Sequence, residues 1–219
     1  MIESRIENFI SSYENDENET IKSLYDYAQN NNVPIIKNDT KRFIRSIINL
    51  KKPLKVLEIG TAIGYSTIVI YDEMKKYCDN PIIYTVEDYP ERIKIAKENF
   101  CKYKYNTIKL YEGDASIHIK NLINNNEHFD FIFLDAAKAQ YPIWLNDLIV
   151  LLNYGGVLLA DNIFKDGEVL ESRYAIEKRD RTIHHRMREY LHKIFDNKNL
   201  SQFIFSIGDG ISMTIKNEK

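Results

Sequence analysis

The sequence lacks the features that mark disulfide-rich, membrane-spanning and secreted proteins. Its 219 residues include only two cysteines, Cys78 and Cys101, which provide neither a disulfide framework nor the spacing of a metal site. No apolar run approaches the length of a membrane span, and the first residues lack the apolar block of a signal peptide. The net charge of -2 gives no overall basic field. We therefore expect a single cytoplasmic domain over residues 1–219, without a membrane partner.

Glycine is also scarce, and its placement narrows the choice of cofactor. Gly60 and Gly64 follow the apolar stretch Val56–Ile59, and Thr61 stands where the second glycine of a dinucleotide fingerprint would fall. Such a turn is poorly suited to a pyrophosphate. It suits an adenosine-containing cofactor with an amino-acid tail and no phosphate, although the glycine pair alone could also belong to an ordinary strand–turn–helix corner.

The order of predicted elements indicates an α/β fold. N-terminal helices cover about residues 1–50. A Rossmann-like core over about residues 54–219 then alternates strands and helices, which indicates a parallel sheet with helices on both faces. The predicted parallel strands are Lys55–Ile59, Ile82–Val86, Thr107–Tyr111, Phe129–Leu134 and Val157–Ala160. Strands Gln202–Ile207 and Ile211–Ile215 are separated only by Gly208-Asp209-Gly210, which is typical of an antiparallel hairpin. A mostly parallel seven-stranded sheet that ends in such a hairpin is the class I methyltransferase fold.

Three boundaries are predicted from residue types that favour particular places in a helix or strand. Asn38 or Asp39 is expected to cap the helix that precedes the first strand. Pro90 is expected to open the helix after the second strand. Gly155-Gly156 is expected to start the fifth strand.

Acidic and amide side chains lie at the ends of the predicted strands, where ligands bind in open α/β sheets. They are Glu58, Glu87, Asp114, Asp135, Asp161 and Asn162. So many carboxylates at one edge repel one another unless a cation offsets them. Glu87 is placed to accept both ribose hydroxyls of a cofactor. Asp114 could accept from the adenine amino group while Ala115 offers a backbone amide, and a capping role for Asp114 is an equal and compatible alternative.

The last strand ends suggest a cation site and a base. Asp135, Asp161 and Asn162 offer only oxygen ligands, which suits Mg²⁺. Lys138 follows Asp135 by three residues. An ammonium beside a divalent cation is disfavoured, so Lys138 could act as a general base instead of as an ordinary surface lysine.

Three segments together resemble the cation-dependent O-methyltransferases, which include catechol and caffeoyl-CoA methyltransferases. These segments are Leu57–Ser66, Asp135–Tyr141 and Gly155–Asn162, and the resemblance extends from about Val33 onward. It implies S-adenosylmethionine as methyl donor, Mg²⁺ or a similar divalent cation, Lys138 as the base and a homodimer.

The resemblance also extends the set of expected cofactor residues. Ile36 and Ser66 match positions that line the cofactor in that family, and Glu58 matches the acidic position of its first motif. The predicted cofactor-binding residues are therefore Ile36, Glu58, Gly60, Gly64, Ser66, Glu87, Asp114, Ala115 and Asp135.

A locally basic segment, Arg173–Arg188, follows the last predicted metal ligand. Within it, the run Lys178–Arg188 resembles the matching region of a bacterial branch of this family that methylates 5-hydroxyuridine at the wobble position of tRNA, giving 5-methoxyuridine. The 5-hydroxyl and 4-carbonyl of that base are adjacent oxygens, and an unpaired base can enter a pocket. The residues expected to contact anticodon phosphates are Lys178, Arg179, Arg181, Arg186 and Arg188. The alternative is a solvated helix face balanced by neighbouring acids.

Three functions stay open at this point. The first is the tRNA methyltransferase, and the second is a small-molecule O-methyltransferase acting on catechols or similar vicinal diols. The third is a non-catalytic adenosine-ligand binding protein on the same fold, which Asp135 and Lys138 together argue against. Trp144 and Tyr141 could form an aromatic gate over a catechol, but both fit a core or interface role better.

Overall fold

The structure, a computed structural model, describes residues 2–13 and 18–218. The strands are β1 (Lys55–Ile59), β2 (Ile82–Glu87), β3 (Ile108–Glu112), β4 (Phe129–Leu134), β5 (Leu152–Ala160), β6 (Leu200–Phe205) and β7 (Ile211–Lys216). The helices are α1 (Ile2–Ser11), α2 (Glu19–Asn30), α3 (Asn38–Lys51), α4 (Tyr65–Lys75), α5 (Pro90–Lys102), α6 (Ala115–Asn124), α7 (Tyr141–Leu151) and α8 (Arg181–Phe195). Short 3₁₀ helices cover Lys138–Gln140 and Glu168–Leu170.

The strands form one seven-stranded sheet in the order β3-β2-β1-β4-β5-β7-β6. Neighbours from β3 to β5 pair in parallel, and β7 runs antiparallel to both β5 and β6. The order reverses at β1, so the chain leaves a crevice beyond the carboxyl ends of β1 and β4. The predicted fold class is confirmed.

The central strands are apolar because both of their faces are covered by helices. Along β4 the side chains alternate between two buried layers: Phe131 and Phe133 pack on the side of α2 to α5, while Ile132 and Leu134 pack on the side of α6 to α8. This rigid centre fixes the positions of the residues that follow β1 and β4. In the described part of the chain, no helix combines the length and apolar character that a bilayer crossing requires.

Two predicted boundaries are wrong for identifiable reasons. Strand β5 begins at Leu152, before Gly155-Gly156, and its register with β4 shifts near Phe129, so the glycines lie within the strand. Helix α3 has Lys37 at its cap position and no side-chain cap. Asp39 instead accepts a hydrogen bond from the backbone N–H of Gly208 at 2.8 Å, which ties α3 to the hairpin loop before β7.

Candidate active site

A cavity of about 550 Å³ lies beyond the carboxyl ends of the parallel strands. Most of the predicted site residues form its wall: Ile36, Gly60, Ser66, Glu87, Asp114, Ala115, Asp135 and Asn162. Glu58, Gly64, Lys138 and Asp161 are not part of that wall. The sheet therefore brings the predicted cofactor residues together with two of the predicted metal ligands in one space.

The turn after β1 needs its first glycine. Gly60 has φ +104°, and a Cβ there would lie 2.0 Å from the backbone oxygen of Asp135. The backbone N–H groups of Gly60 and Thr61 both donate to the carbonyl of Val86, at 3.0 and 3.2 Å. The turn is thus pressed between the ends of β2 and β4, and any side chain at Gly60 would collide with the backbone of Asp135.

Glu87, at the end of β2, is held as an anionic acceptor at the cavity wall. One carboxylate oxygen accepts the N–H of Ala62 at 2.7 Å, and the other accepts those of Asp88 and Tyr89 at 3.2 and 3.1 Å. Backbone amides thus balance its charge and fix its direction without using every lone pair. The remaining acceptor capacity suits a pair of hydroxyl donors in the cavity.

Glu58 was expected to bind the cofactor, but it does not line the cavity. Its carboxylate is fully buried beneath the turn and accepts hydrogen bonds from Ser66, Thr67 and Thr85, those of Ser66 and Thr85 at 2.6 Å. Burial raises the pKa of Glu58 to about 7, although the three hydroxyls act in the opposite direction. Glu58 is linked to the cavity wall directly through Ser66 and indirectly through Thr85, whose hydroxyl bonds with that of Thr61 at 2.6 Å; Ser66 and Thr61 both line the cavity.

Gly64 also acts through packing and not through the cavity wall. It precedes α4 with φ +88°, and a Cβ there would lie 2.6 Å from the ring of Phe100. The absence of a side chain lets α4 approach α5 closely. Its role in the turn is steric.

Both readings of Asp114 are compatible with the structure. Its Oδ1 accepts the N–H of Ser116 at 2.7 Å and so caps α6, and the same hydrogen bond lowers the pKa of Asp114. Asp114 and Ala115 also line the cavity. Trp144 lies beside them, with its indole N–H donating to Ser116 Oγ at 3.0 Å. Trp144 is buried, as a core role requires, yet it also forms part of the cavity wall.

Asp135 is the centre of a small polar cluster at the other end of the cavity. Its Oδ1 accepts from Lys138 Nζ at 2.9 Å and from the Asn162 side-chain amide at 3.3 Å. Asn162 has φ +55°, a left-handed conformation that turns the chain sharply after β5. The structure thus brings together three residues that lie up to 27 positions apart in the sequence.

Asp161 lies directly behind this cluster and is buried. Its burial, and then repulsion from Asp135, raise its pKa to about 7. Within residues 2–13 and 18–218 there is no group of three or more histidine, cysteine, aspartate or glutamate side chains placed to hold a metal ion. The predicted metal ligands, Asp135, Asp161 and Asn162, are two carboxylates and one amide, so they do not form a group of that kind. The two carboxylates are close enough to repel each other, which a cation would relieve.

Lys138 is held by two oxygens. Nζ donates to Asp135 Oδ1 and to the Tyr141 hydroxyl, both at 2.9 Å. Burial alone would lower the pKa of Lys138, but the adjacent Tyr141 and Asp135 outweigh it and raise the pKa above the usual range. With these neighbours Lys138 is an ammonium that balances the charge of Asp135.

Residues 163–180, between Asn162 and α8, form a segment that we call the strap. The basic segment Arg173–Arg188 covers the end of the strap and the first half of α8. Arg179 is 80% exposed and paired with Glu177 and Asp180 at 3.1 and 3.2 Å. Arg186 pairs with Glu189 at 2.9 Å. Two of the five predicted phosphate contacts, Arg179 and Arg186, therefore already have acidic partners, as in the solvated-face alternative.

The remaining two arginines stabilise the strap itself. Arg181 and Arg188 donate Nε to the backbone carbonyls of Ile176 and Val169, at 3.1 and 3.0 Å. Tyr174, which the sequence did not single out, is 91% exposed in the same strap. An exposed aromatic ring beside basic side chains is the combination that stacks on unpaired bases.

Other cavity residues were missed because nothing in their local sequence marks them. Pro34 and Ile35 come from the loop before α3, and Arg92 comes from the first turn of α5. Tyr141 was weighed as an aromatic gate, but a core or interface role was expected to fit it better. Its ring is fully buried, as the core role requires, and its hydroxyl accepts a hydrogen bond from Lys138. The Asp135-x-x-Lys138-x-x-Tyr141 spacing was visible in the sequence and could have suggested this contact.

Known proteins share both the sequence and the fold. A catechol O-methyltransferase from Niastella koreensis is 29% identical over 132 residues, which cover 59% of this chain and 58% of that protein. Probable caffeoyl-CoA O-methyltransferase 3 from Dictyostelium discoideum is 24% identical over 98% of this chain and 91% of its own length. The chain spans about half the length of several other curated relatives it matches.

Comparison with solved structures gives the same fold over the whole chain. An O-methyltransferase from Bacillus cereus, solved with S-adenosylhomocysteine (SAH), superposes with a TM-score of 0.86 at 22% identity, covering 99% of this chain and all of that one. At this identity the likeness speaks for the fold. The sequence evidence is broader, because a family model described as O-methyltransferase matches residues 9–217. The chain belongs to the O-methyltransferase family.

Proposed function

We propose that this protein transfers a methyl group from S-adenosylmethionine to a substrate oxygen, with a divalent cation beside the acceptor. The observation that carries the proposal is the composition of the 550 Å³ cavity. One end has the glycine turn and the fixed carboxylate of Glu87, and the other has Asp135 and Asn162 with Lys138 behind them. A binding protein for an adenosine ligand has no need of the second end.

The residues at the first end fit the methyl donor. The Glu87 carboxylate faces the cavity and would accept the two ribose hydroxyls. Asp114 and Ala115 stand where an adenine edge would be recognised, and Trp144 offers an apolar surface beside them. The Ser66 hydroxyl donates its hydrogen bond to Glu58, so its oxygen can only accept from a ligand in the cavity. This suits the ammonium of an amino-acid tail.

The residues at the second end fit a hard divalent cation. Asp135, Asp161 and Asn162 would hold it, since oxygen ligands suit Mg²⁺ and the two carboxylates repel each other without it. When bound, the cation would supply Lewis-acid activation and a fixed place for two adjacent oxygens. The Asn162 amide now points its N–H toward Asp135, so an oxygen ligand from Asn162 requires the amide to turn.

Lys138 would take the proton from the acceptor hydroxyl. In the present arrangement Asp135 and Tyr141 hold it as an ammonium. It becomes a base only when another positive charge engages Asp135 and removes the negative field beside Nζ. The acceptor oxygen would then form its bond to the methyl carbon as the carbon–sulfur bond breaks, and both reactants are held in one cavity.

For the acceptor, we propose 5-hydroxyuridine at the tRNA wobble position, giving 5-methoxyuridine. The support is the strap between β5 and α8, which starts directly after Asn162 and carries exposed Tyr174 and Arg179. A stacking ring and cationic side chains in the segment that follows Asn162 suit an unpaired base with flanking phosphates. The acidic partners of Arg179 would have to be exchanged for phosphates.

A small catechol or similar vicinal diol is the second candidate. It is favoured by the ion pairs that already satisfy Arg179 and Arg186 and by the catechol O-methyltransferase among the relatives. Both acceptors present two adjacent oxygens, so Asp135, Asn162 and Lys138 would serve either one. Only the contacts outside the cavity distinguish them.

Two measurements test the proposed function. Calorimetry should show binding of SAH and not of NAD; comparable NAD affinity would contradict the cofactor assignment. Methyl transfer to a catechol and to an anticodon stem-loop containing 5-hydroxyuridine should then be assayed with Mg²⁺ and with excess chelator. Asp135→Asn should abolish transfer while keeping SAH binding within a few-fold. Full activity in chelator would exclude the cation from the reaction.

Three further expectations stay predictions. The homodimer, the cytoplasmic location and the single domain over residues 1–219 rest on the family resemblance and on composition.

A further inference from the structure

Tyr141 makes an unusual set of contacts for a buried tyrosine. It is the first residue of α7, and its side chain is fully buried. The hydroxyl lies 3.0 Å from the carbonyl oxygen of Leu134 and 3.2 Å from that of Asp161. Leu134 ends β4 and Asp161 follows β5, so one oxygen atom bridges the two strand ends that deliver the proposed cation ligands.

The direction of these hydrogen bonds follows from the chemistry of the groups. Carbonyl oxygens only accept, so the single phenol proton points at Leu134 or Asp161. The oxygen can then only accept from its other neighbours. These are Lys138 Nζ at 2.9 Å and the backbone N–H of Ala136 at 3.4 Å. Because Ala136 follows Asp135 directly, the hydroxyl also fixes the backbone that carries that carboxylate.

We infer that Tyr141 is a positioning residue, which sets the spacing between Asp135 and Asp161 and holds the amine of Lys138 beside them. The inference rests on the proposed function for its catalytic meaning, and on geometry alone for the structural part. A packing role would need only the ring. The hydroxyl is therefore the group to remove.

The chain offers a matched control. Tyr190 is equally buried, and its ring packs against that of Tyr141 at 5.6 Å between centroids. In the part of the chain that the structure describes, its hydroxyl bonds only with Ser212 Oγ, at 2.9 Å. Tyr190→Phe thus removes one buried hydroxyl without touching Lys138, Asp135 or Asp161. The two variants should lose comparable thermal stability.

The experiment compares Tyr141→Phe with Tyr190→Phe. For Tyr141→Phe we expect kcat to fall at least tenfold with KM for the methyl donor unchanged, and Mn²⁺ affinity, measured in the presence of SAH, to weaken several-fold. Tyr190→Phe should change neither. In the Lys138→Met background, Tyr141→Phe should produce a much smaller further loss of kcat, because both act through the same amine.

A crystal structure of Tyr141→Phe tests the structural role of Tyr141 separately from its effect on catalysis. Displacement of Lys138 Nζ or a changed distance between the Asp135 and Asp161 carboxylates is the expected result. If both stay in place and Mn²⁺ affinity matches that of Tyr190→Phe, the inference is wrong. If the wild type binds no Mn²⁺, the proposed function fails, while the crystal structure still decides the structural role of Tyr141.

Discussion

The two ends of the cavity neutralise their charges in different ways. We call the end with the glycine turn and Glu87 the cofactor end, and the end with Asp135 and Asn162 the acceptor end. At the cofactor end the carboxylates accept hydrogen bonds from the backbone or from hydroxyls: Glu87 accepts three N–H groups and Glu58 accepts three hydroxyls. At the acceptor end, Asp135 is balanced mainly by Lys138, and Asp161 remains under repulsion from Asp135. The carboxylates of the cofactor end are thus offset without any ligand. At the acceptor end the charge of Asp135 is offset mainly by Lys138, a group that the reaction would use.

This difference predicts which changes each end tolerates. Uncharged donors hold the carboxylates of the cofactor end, so a change of charge at Glu58 should alter stability more than chemistry. At the acceptor end, a loss of charge should alter chemistry first, because the same groups hold one another and serve the substrate.

The largest effect is expected for Lys138→Met, which keeps the length of the side chain and removes the amine. If Lys138 is the general base, turnover should fall by roughly two to four orders of magnitude. Binding of SAH should change little, since Lys138 is not part of the cavity wall. Single-turnover kinetics and calorimetry measure the two quantities. An unchanged rate at neutral pH would return Lys138 to a purely charge-balancing role for Asp135.

An intermediate effect is expected for Glu58→Gln, beneath the cofactor end. The pKa of Glu58 rises from an ordinary 4.5 to about 7 on folding, so the folded protein binds the proton more tightly than the unfolded chain. The resulting stability is fully present below pH 4.5 and is lost as the pH rises through about 7. Over that window the wild type should lose about 3 kcal/mol from this group.

The variant should lack this part of the pH dependence. Denaturant unfolding between pH 4.5 and 8 should give a shallower fall in free energy for Glu58→Gln, while the slope due to Asp161 persists in both proteins. Glu98→Gln, an exposed change on α5, serves as the control. Equal slopes in all three proteins would mean that Glu58 ionises in the folded state as it does in the unfolded one.

The same contrast explains which features could be predicted from the sequence. Strands β1 and β4 were predicted with the boundaries Lys55–Ile59 and Phe129–Leu134 that the structure has, because central strands are continuous apolar runs with clear breaks. The residues just after them could then be placed at one sheet edge from topology alone. Features that depend only on neighbouring residues could also be predicted, such as the cap that Asp114 forms at the start of α6.

The errors arise where a distant partner decides the local structure. Asp39 does not cap α3 because its carboxylate binds Gly208, 169 positions away. Gly155-Gly156 does not begin β5, because the register shift beside β4 carries the strand through it. Glu58 was assigned to the cofactor because it matches the acidic position of the family's first motif, and that assignment stays a prediction; the side-chain direction that buries it beneath the turn could not be derived from spacing. The bridging role of Tyr141 likewise depends on how β4, β5 and α7 meet.

The smallest effect is expected at the rim of the acceptor end, where the substrate proposals differ. Arg181 and Arg188 are bonded to the strap backbone, so the sharper test replaces only Lys178 and Arg179 with glutamine. If both contact phosphates, the log–log slope of tRNA affinity against salt should flatten by about two units, one for each lost contact. Methylation of a small catechol should survive, because the cavity is unchanged.

The matched control for this test is the pair Lys102→Gln and Lys104→Gln. These exposed lysines lie at and just after the end of α5. Because α5 begins beside the cavity and runs back along the sheet, they lie at the opposite edge from the site, and their loss changes the net charge by the same amount. A general electrostatic attraction would flatten the slope equally in both double variants. A slope that responds only to Lys178 and Arg179 supports RNA binding at the strap, and wild-type slopes in both variants would favour the small-molecule acceptor.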